Sequence, residues 1–223
     1  MKRKAKRTLA VGTAFVSGFI LWTILILKLD VQAAGVNSTD IGFATFNTWF
    51  HSLTGVNMVL YNITDWLSVI PVAVCTAFGA LGLAQLIKRK SLFRVDRDII
   101  ALGVYYVAVA VCYLAFEIVP INYRPILIDG RMEASYPSST TLLVLSVMPT
   151  LIFQVNRRAK SAATKRAVTV LTTAFSLFMV TGRLVSGVHW ATDIFGALLL
   201  SAGLYCTYKA VALPQRWREY GGI

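Results

Sequence analysis

The chain has 223 residues, 57% of them hydrophobic and 14% charged, where ordinary soluble domains run about 45–50% apolar and about 25% charged. With a mean hydropathy of +0.65, this composition excludes an ordinary soluble domain and indicates an integral membrane protein, read as one domain over residues 1–223. Lys and Arg number 22 against 10 Asp and Glu, a net charge of +12. In a membrane chain this excess sets topology and meets anionic lipid headgroups, so no nucleic-acid partner is needed.

Six apolar stretches are long enough, or nearly so, to cross a bilayer as helices, which takes about 20 residues each. In chain order they are Leu9–Leu27, Ile63–Ile87, Ile99–Val119, Pro137–Val155, Ala167–Gly182 and Ala191–Leu213. The fifth is short and ends beside Arg183, near the interface. Between the first two, Phe43, Phe46, Phe50 and Leu53 recur at helical spacing with Trp49 beside them. That pattern predicts a short helix lying in the interface, with a lid or crevice wall as its alternative. The fold class is therefore all-α: a six-transmembrane-helix bundle with an interfacial helix in the first outer connection.

Lys and Arg distribute 18 to 4 between the two sides of this arrangement. The rich side takes the N-terminus, the Lys88–Arg97 and Arg157–Arg166 connections and the tail with Lys209, Arg216 and Arg218. The poor side has only Lys28, Arg124, Arg131 and Arg183. Both termini are expected in the cytoplasm by the positive-inside rule. The first apolar run, flanked by Lys2–Arg7 and the triplet Val31-Gln32-Ala33, imitates a cleaved signal, yet at about 19 residues it exceeds the 7–15 of such segments and is read as a retained helix. Sequons at Asn37 and Asn62 fall on the outer side and matter only in a eukaryotic secretory pathway. Cys75, Cys112 and Cys206 sit in apolar runs and imply no disulfide framework.

Three outer-side pieces hold unusual residues beside the spans: Asn122-Tyr123-Arg124-Pro125, Tyr136-Pro137-Ser138-Ser139-Thr140-Thr141, and Gly182 through Asp193. Polar groups at that depth are costly unless they face a polar cavity. His189 and Asp193 are four apart, so on a helix they share a face and can hydrogen-bond. A carboxylate on one ring nitrogen would leave the other as nucleophile or base. Arg183 reaches the same mouth if the chain turns at Gly187, and Arg124 offers a second planar fork suited to phosphate oxygens. Pro137 opens a helix whose free amides and hydroxyls at Ser138, Ser139 and Thr140 form an anion site. Taken singly, His189 reads as an interfacial anchor, Asp193 as a helix cap and Arg124 as a snorkelling side chain. Together they describe a pocket for a phosphoryl group.

Arg124-Pro125, Pro137-Ser138 and Arg183 with His189 and Asp193 resemble the three-part signature of the type-2 phosphatidic acid phosphatase superfamily, which includes membrane lipid phosphatases and shares its site with vanadium haloperoxidases. The resemblance covers Glu117 to Gly196, and its third block is the most specific part. It implies that His189 attacks phosphorus to form a phosphohistidine, with Asp193 orienting it and Arg124, Arg183 and the Ser138 region holding the equatorial oxygens. No metal or other cofactor is implied. The implied partners are a lipid phosphate or diphosphate substrate and membrane lipids, and the implied place is a cell membrane with the site on the extracytoplasmic side.

The sequence departs from that pattern. Glu117 stands where the family has Lys, Ser139-Thr140 where it has Gly-His, and Gly182 where it has Ser. The family's second-block histidine protonates the leaving group, which Thr140 cannot do at neutral pH. General acid help is typically worth about 10²–10⁴-fold. A lipid alkoxide needs that proton, whereas a phosphate leaving group does not, so the loss favours a polyprenyl diphosphate over a monoester. Two alternatives stay open: Glu117 replaces the acid, its protonated form favoured by desolvation, or it pairs with Arg124 and neutralises it. The second functional reading is a family relative of little turnover that binds or translocates lipid phosphates.

Overall fold

A computed structural model describes residues 2–213 of the chain. Among the described residues eight α-helices follow one another: α1 (Lys2–Lys28), α2 (Ala44–Thr54), α3 (Met58–Leu67), α4 (Val69–Arg89), α5 (Arg97–Ile118), α6 (Ser139–Arg158), α7 (Ala162–Val185) and α8 (Ala191–Ala212). Six units are long and apolar enough to cross a membrane, with α3 and α4 counting as one. Among the described residues there is no strand, only isolated bridges in the loops. The all-α, six-span expectation is what the structure shows. Arg216 and Arg218, counted in the charge bias, lie outside the described residues.

The second and fifth spans are longer than the sequence suggested. The second begins at Met58, because Asn57 caps α3 by accepting a hydrogen bond from Leu60 N–H (2.9 Å). Together α3 and α4 cover 32 residues, about 48 Å at 1.5 Å per residue, against a hydrocarbon core of about 30 Å. The unit is therefore longer than the apolar thickness it has to cross. The fifth span runs on to Val185, which places Arg183 in the last turn of α7. Its buried guanidinium (1% exposed) is what the simple apolar count missed.

α6 and α8 are the most enclosed of the spans. Phe19 and Ile26 of α1 pack with Tyr136, Leu142, Ala197 and Leu200 near the α6 start, and Leu102, Tyr105 and Val109 of α5 pack with Tyr208 and Ala212 of α8. At the far end of the bundle, Asp96 and Asp98 receive Arg89 (2.8 Å), Arg157 (3.7 Å) and Arg158 (3.2 and 2.8 Å). Three arginines assigned from sequence to lipid headgroups thus hold α4, α5 and α6 together.

The interfacial helix is present as α2. Phe46, Trp49 and Leu53 are exposed on it, while Ala44 and Asn47 are buried. Its polar side rests on the α7–α8 connection and the first turn of α8: His51 Nε2 lies 3.1 Å from Gly187 O, and Asn47 bonds Thr192 Oγ1 (2.9 Å). The apolar side faces away from the bundle, and the inner side walls its functional end.

Candidate active site

A short hairpin between α5 and α6 builds one half of the site. Asp129 and Gly130 both adopt positive φ (48° and 74°), the requirement of a two-residue turn between antiparallel segments. The turn closes Ile128 on Arg131, and the register then pairs Arg124 with Glu133 and Asn122 with Ser135. Asn122, Arg124 and Ser135 are thereby delivered together, all of them buried.

The α7–α8 connection builds the other half. Gly187 takes φ +68°, and a Cβ there would run into the carbonyl of Gly55, so this turn requires glycine. The chain turns at Gly187 as expected, and Val188, His189 and Trp190 enter the core.

His189 and Asp193 do not share a helical face. His189 precedes α8, whose first residue is Ala191, so the four-residue helical spacing does not apply. Ser135 stands between them instead. Its hydroxyl donates to Asp193 Oδ2 and lies 3.1 Å from His189 Nδ1, and its carbonyl oxygen is also 3.1 Å from Nδ1. The Nδ1 proton therefore points to Ser135, which leaves Nε2 with the lone pair. Asp193 is fully buried and also accepts from Asn122 Nδ2 (3.2 Å) and Trp190 N–H (3.0 Å). It thus caps α8 and anchors Ser135 at once.

Burial, reinforced by the nearby charges of Arg124 and Arg183, holds the His189 imidazole well below its ordinary 6.5. The ring is therefore neutral at physiological pH. His189 Nε2, Arg124 Nη1 and Arg183 Nε and Nη1 are buried with no hydrogen-bond partner among the described residues. Buried polar groups are rarely left so. A tetrahedral oxyanion is the simplest group that would satisfy all three side chains.

Both guanidiniums lie against Tyr61 of α3, with Arg183 Cζ 4.6 Å and Arg124 Cζ 5.7 Å from its ring centre. Arg183 Nη2 also donates to Asp65 Oδ1 (2.6 Å) and Thr140 Oγ1 (2.7 Å). Gly182 makes this approach possible, since a Cβ there would come within 2.7 Å of Thr64 Cγ2. The departure at the position before Arg183 thus opens room for α3.

At the start of α6, Ser138 is the N-cap and Leu142 N–H closes the first helical bond to its carbonyl (2.9 Å). The amides of Ser139 to Thr141 precede that bond and have no partner within the helix. Ser138 itself is fully buried, its amide donating to Asp193 O (3.3 Å) and its hydroxyl to Thr141 Oγ1 (3.1 Å). Ser139 and Thr140 line a cavity of about 500 Å³ together with the polar Asp65 and Ser68 and with Cys75, Tyr106, Val109 and Leu143. Glu117 is exposed on the other side of Ser139, in a small crevice with Tyr113 and Pro137. It does not pair with Arg124, which is bound by Glu133 (3.0 Å) instead.

Ser135, Tyr61, Asp65 and Glu133 join the site without belonging to any of the three motif blocks. Two of these carried a signal. An Asp129-Gly130 dipeptide predicts a hairpin whose register brings Ser135 beside Asn122, and Asp65 is a carboxylate inside an apolar span, a functional candidate by default.

Comparison with known proteins places the fold. The crystal structure of a transmembrane PAP2-type phosphatidylglycerolphosphate phosphatase from Bacillus subtilis matches with a TM-score of 0.60 at 16% identity, over 93% of this chain and 99% of that one. The fold is thus shared although little sequence is. No curated protein matches the chain. The PAP2 superfamily pattern matches residues 72–217, more than half of the sequence and a stretch that contains all three blocks, and the chain belongs to that superfamily.

Proposed function

We propose that this multi-pass membrane protein hydrolyses a lipid phosphate, with a polyprenyl diphosphate as the preferred class, through a phosphohistidine at His189. One observation carries the reading. Three buried side chains with unpartnered nitrogens, His189, Arg124 and Arg183, lie close enough for both guanidiniums to act on the imidazole, and Arg183 bonds Asp65 and Thr140, which line an apolar cavity of about 500 Å³. The unpartnered nitrogens suit a phosphate and the apolar cavity suits a hydrocarbon chain.

In this mechanism Ser135 fixes the imidazole with Nδ1 protonated, and Nε2 attacks phosphorus. The oxygen–phosphorus bond to the leaving group breaks as the nitrogen–phosphorus bond forms. The two guanidiniums and the free amides at Ser139 and Thr140 hold the equatorial oxygens as charge shifts among them. Asp193, through Ser135, balances the positive charge that develops on the ring. Thr140 accepts from Arg183 and offers no acidic proton, so a leaving group that departs as a stable phosphate anion suits this site best. The Lys and Arg asymmetry supports a site on the extracytoplasmic side with both termini in the cytoplasm.

The test is phosphate release by purified protein from a panel including a polyprenyl diphosphate, its monophosphate and phosphatidylglycerolphosphate, with and without chelator. Diphosphate turnover that survives chelation and disappears in His189→Ala is the expected result. An active His189→Ala protein refutes the mechanism. Binding of the same lipids without any phosphate release moves the binding or translocating reading ahead.

A further inference from the structure

The site as described lacks a group to activate the water that must release the phosphohistidine. Thr140 cannot do it, Glu117 reaches neither guanidinium, and Glu133 is engaged with Arg124. Asp65 remains. It sits one helical turn after Tyr61 on α3, so the two share a face, and that face meets the site through Arg183 and the Tyr61 ring. Its carboxylate and the Thr140 hydroxyl receive the same Arg183 Nη2, at 2.6 and 2.7 Å. Asp65 therefore lies beside the α6 N-terminus, and it lines the cavity together with Ser139 and Thr140. Its second oxygen carries no hydrogen bond among the described residues. Its side chain is 57% exposed, while Arg183 is 1% exposed.

We infer that Asp65 is the general base of the second half-reaction, an inference that rests on the phosphohistidine reading above. An ion-paired carboxylate accepts protons and does not donate them, which fits water activation and not leaving-group protonation. In the first step His189 Nε2 takes the terminal phosphoryl group and the lipid monophosphate departs as an anion, with no proton required. In the second, water oxygen bonds to phosphorus and the phosphorus–Nε2 bond breaks, its electron pair returning to the ring. One water proton passes to Asp65 and from there to solvent, and the other leaves on inorganic phosphate. Arg183 holds the phosphoryl group and the base on one guanidinium, which sets the geometry between them.

The experiment follows both half-reactions with a short-chain polyprenyl diphosphate labelled in its terminal phosphate. Asp65→Asn keeps an acceptor for Arg183, so the guanidinium is not left bare. The variant is expected to release about one lipid monophosphate per protein in a burst and to accumulate alkali-stable, acid-labile label on His189. Its inorganic phosphate release should fall by about 10²–10⁴-fold, the usual reach of a general base, and Asp65→Glu should recover part of it. Native phosphate release by Asp65→Asn overturns the inference. So does slow release with no more trapped label than the native protein shows, since that would make Asp65 only a support for Arg183. Native protein that neither releases phosphate nor becomes labelled refutes the phosphatase reading itself, and this inference with it.

Discussion

Ser135→Ala separates what the hydroxyl does from what the backbone does. The hydroxyl is buried (1% exposed), donates to the Asp193 carboxylate and stands 3.1 Å from His189 Nδ1. It is the only link between the two side chains that the structure provides among the described residues. A hydrogen bond to a charged group is worth about 1.5–3 kcal/mol. Felt only when the ring becomes positive, that loss slows phosphoryl transfer about 10- to 150-fold, at about 1.4 kcal/mol per tenfold. The backbone carbonyl of Ser135 still accepts from Nδ1, so the tautomer persists and activity should not vanish. Asp193 still holds Asn122 and Trp190, so the start of α8 should survive. The assay is the rate of burst labelling of His189 beside steady-state phosphate release, with Ser135→Thr as the variant that restores a hydroxyl. A Ser135→Ala protein within twofold of native, or one as inactive as His189→Ala, would refute the reasoning.

The remaining predictions concern the charge state of the nucleophile, the missing acid and the far end of the bundle. Because burial and two guanidiniums depress His189 below 6.5, kcat/KM should hold as pH falls through 6.5 and decline only on a more acid limb; Arg124→Gln should move that limb upward, and a native limb above 6.5 assigned to His189 would contradict the site. Placing histidine at position 140 with Ser139→Gly should raise monoester hydrolysis about 10- to 100-fold, within the reach of general acid catalysis, and change diphosphate hydrolysis less. Equal gains on both substrates would remove the leaving-group argument. Asp98→Asn weakens the pairing with Arg158 (2.8 Å) while Asp96 still accompanies that arginine, which should cost about 1.5–3 kcal/mol, read as a lower thermal midpoint in detergent. An unchanged midpoint would show that the cluster contributes nothing.

The spans were legible because the bilayer imposes a simple rule on composition, and about 20 apolar residues satisfy it wherever they occur. The ends of those spans were not, because polar groups decide them through partners elsewhere in the chain. Asn57 starts α3 locally, but Tyr61, Thr64 and Asp65 are tolerable at the top of a span only because Arg183 and Gly182 of α7 meet them. The same holds at the far end, where Arg89, Arg157 and Arg158 look like a positive-inside signal until Asp96 and Asp98 fold back against them. Counting charges assigns a side to each arginine and cannot assign a partner.

The motif blocks named His189, Asp193, Arg124 and Arg183, and the structure brings all four to one end of the bundle. Spacing misled where it assumed regular structure: four residues separate His189 from Asp193, but the helix begins between them, and the connection passes through a serine more than fifty positions away. The departures from the family pattern are also tied to one another in space. Gly182, which lacks a side chain, admits α3. α3 brings Asp65 to the guanidinium that also holds Thr140, the residue standing in place of the family's acid. Read one at a time along the sequence, Gly182 and Thr140 are losses. Read across the α3–α6–α7 junction, a carboxylate stands beside the position that lost its imidazole, which is why the water-activating step, and not the nucleophile, is where this protein should differ most from its relatives.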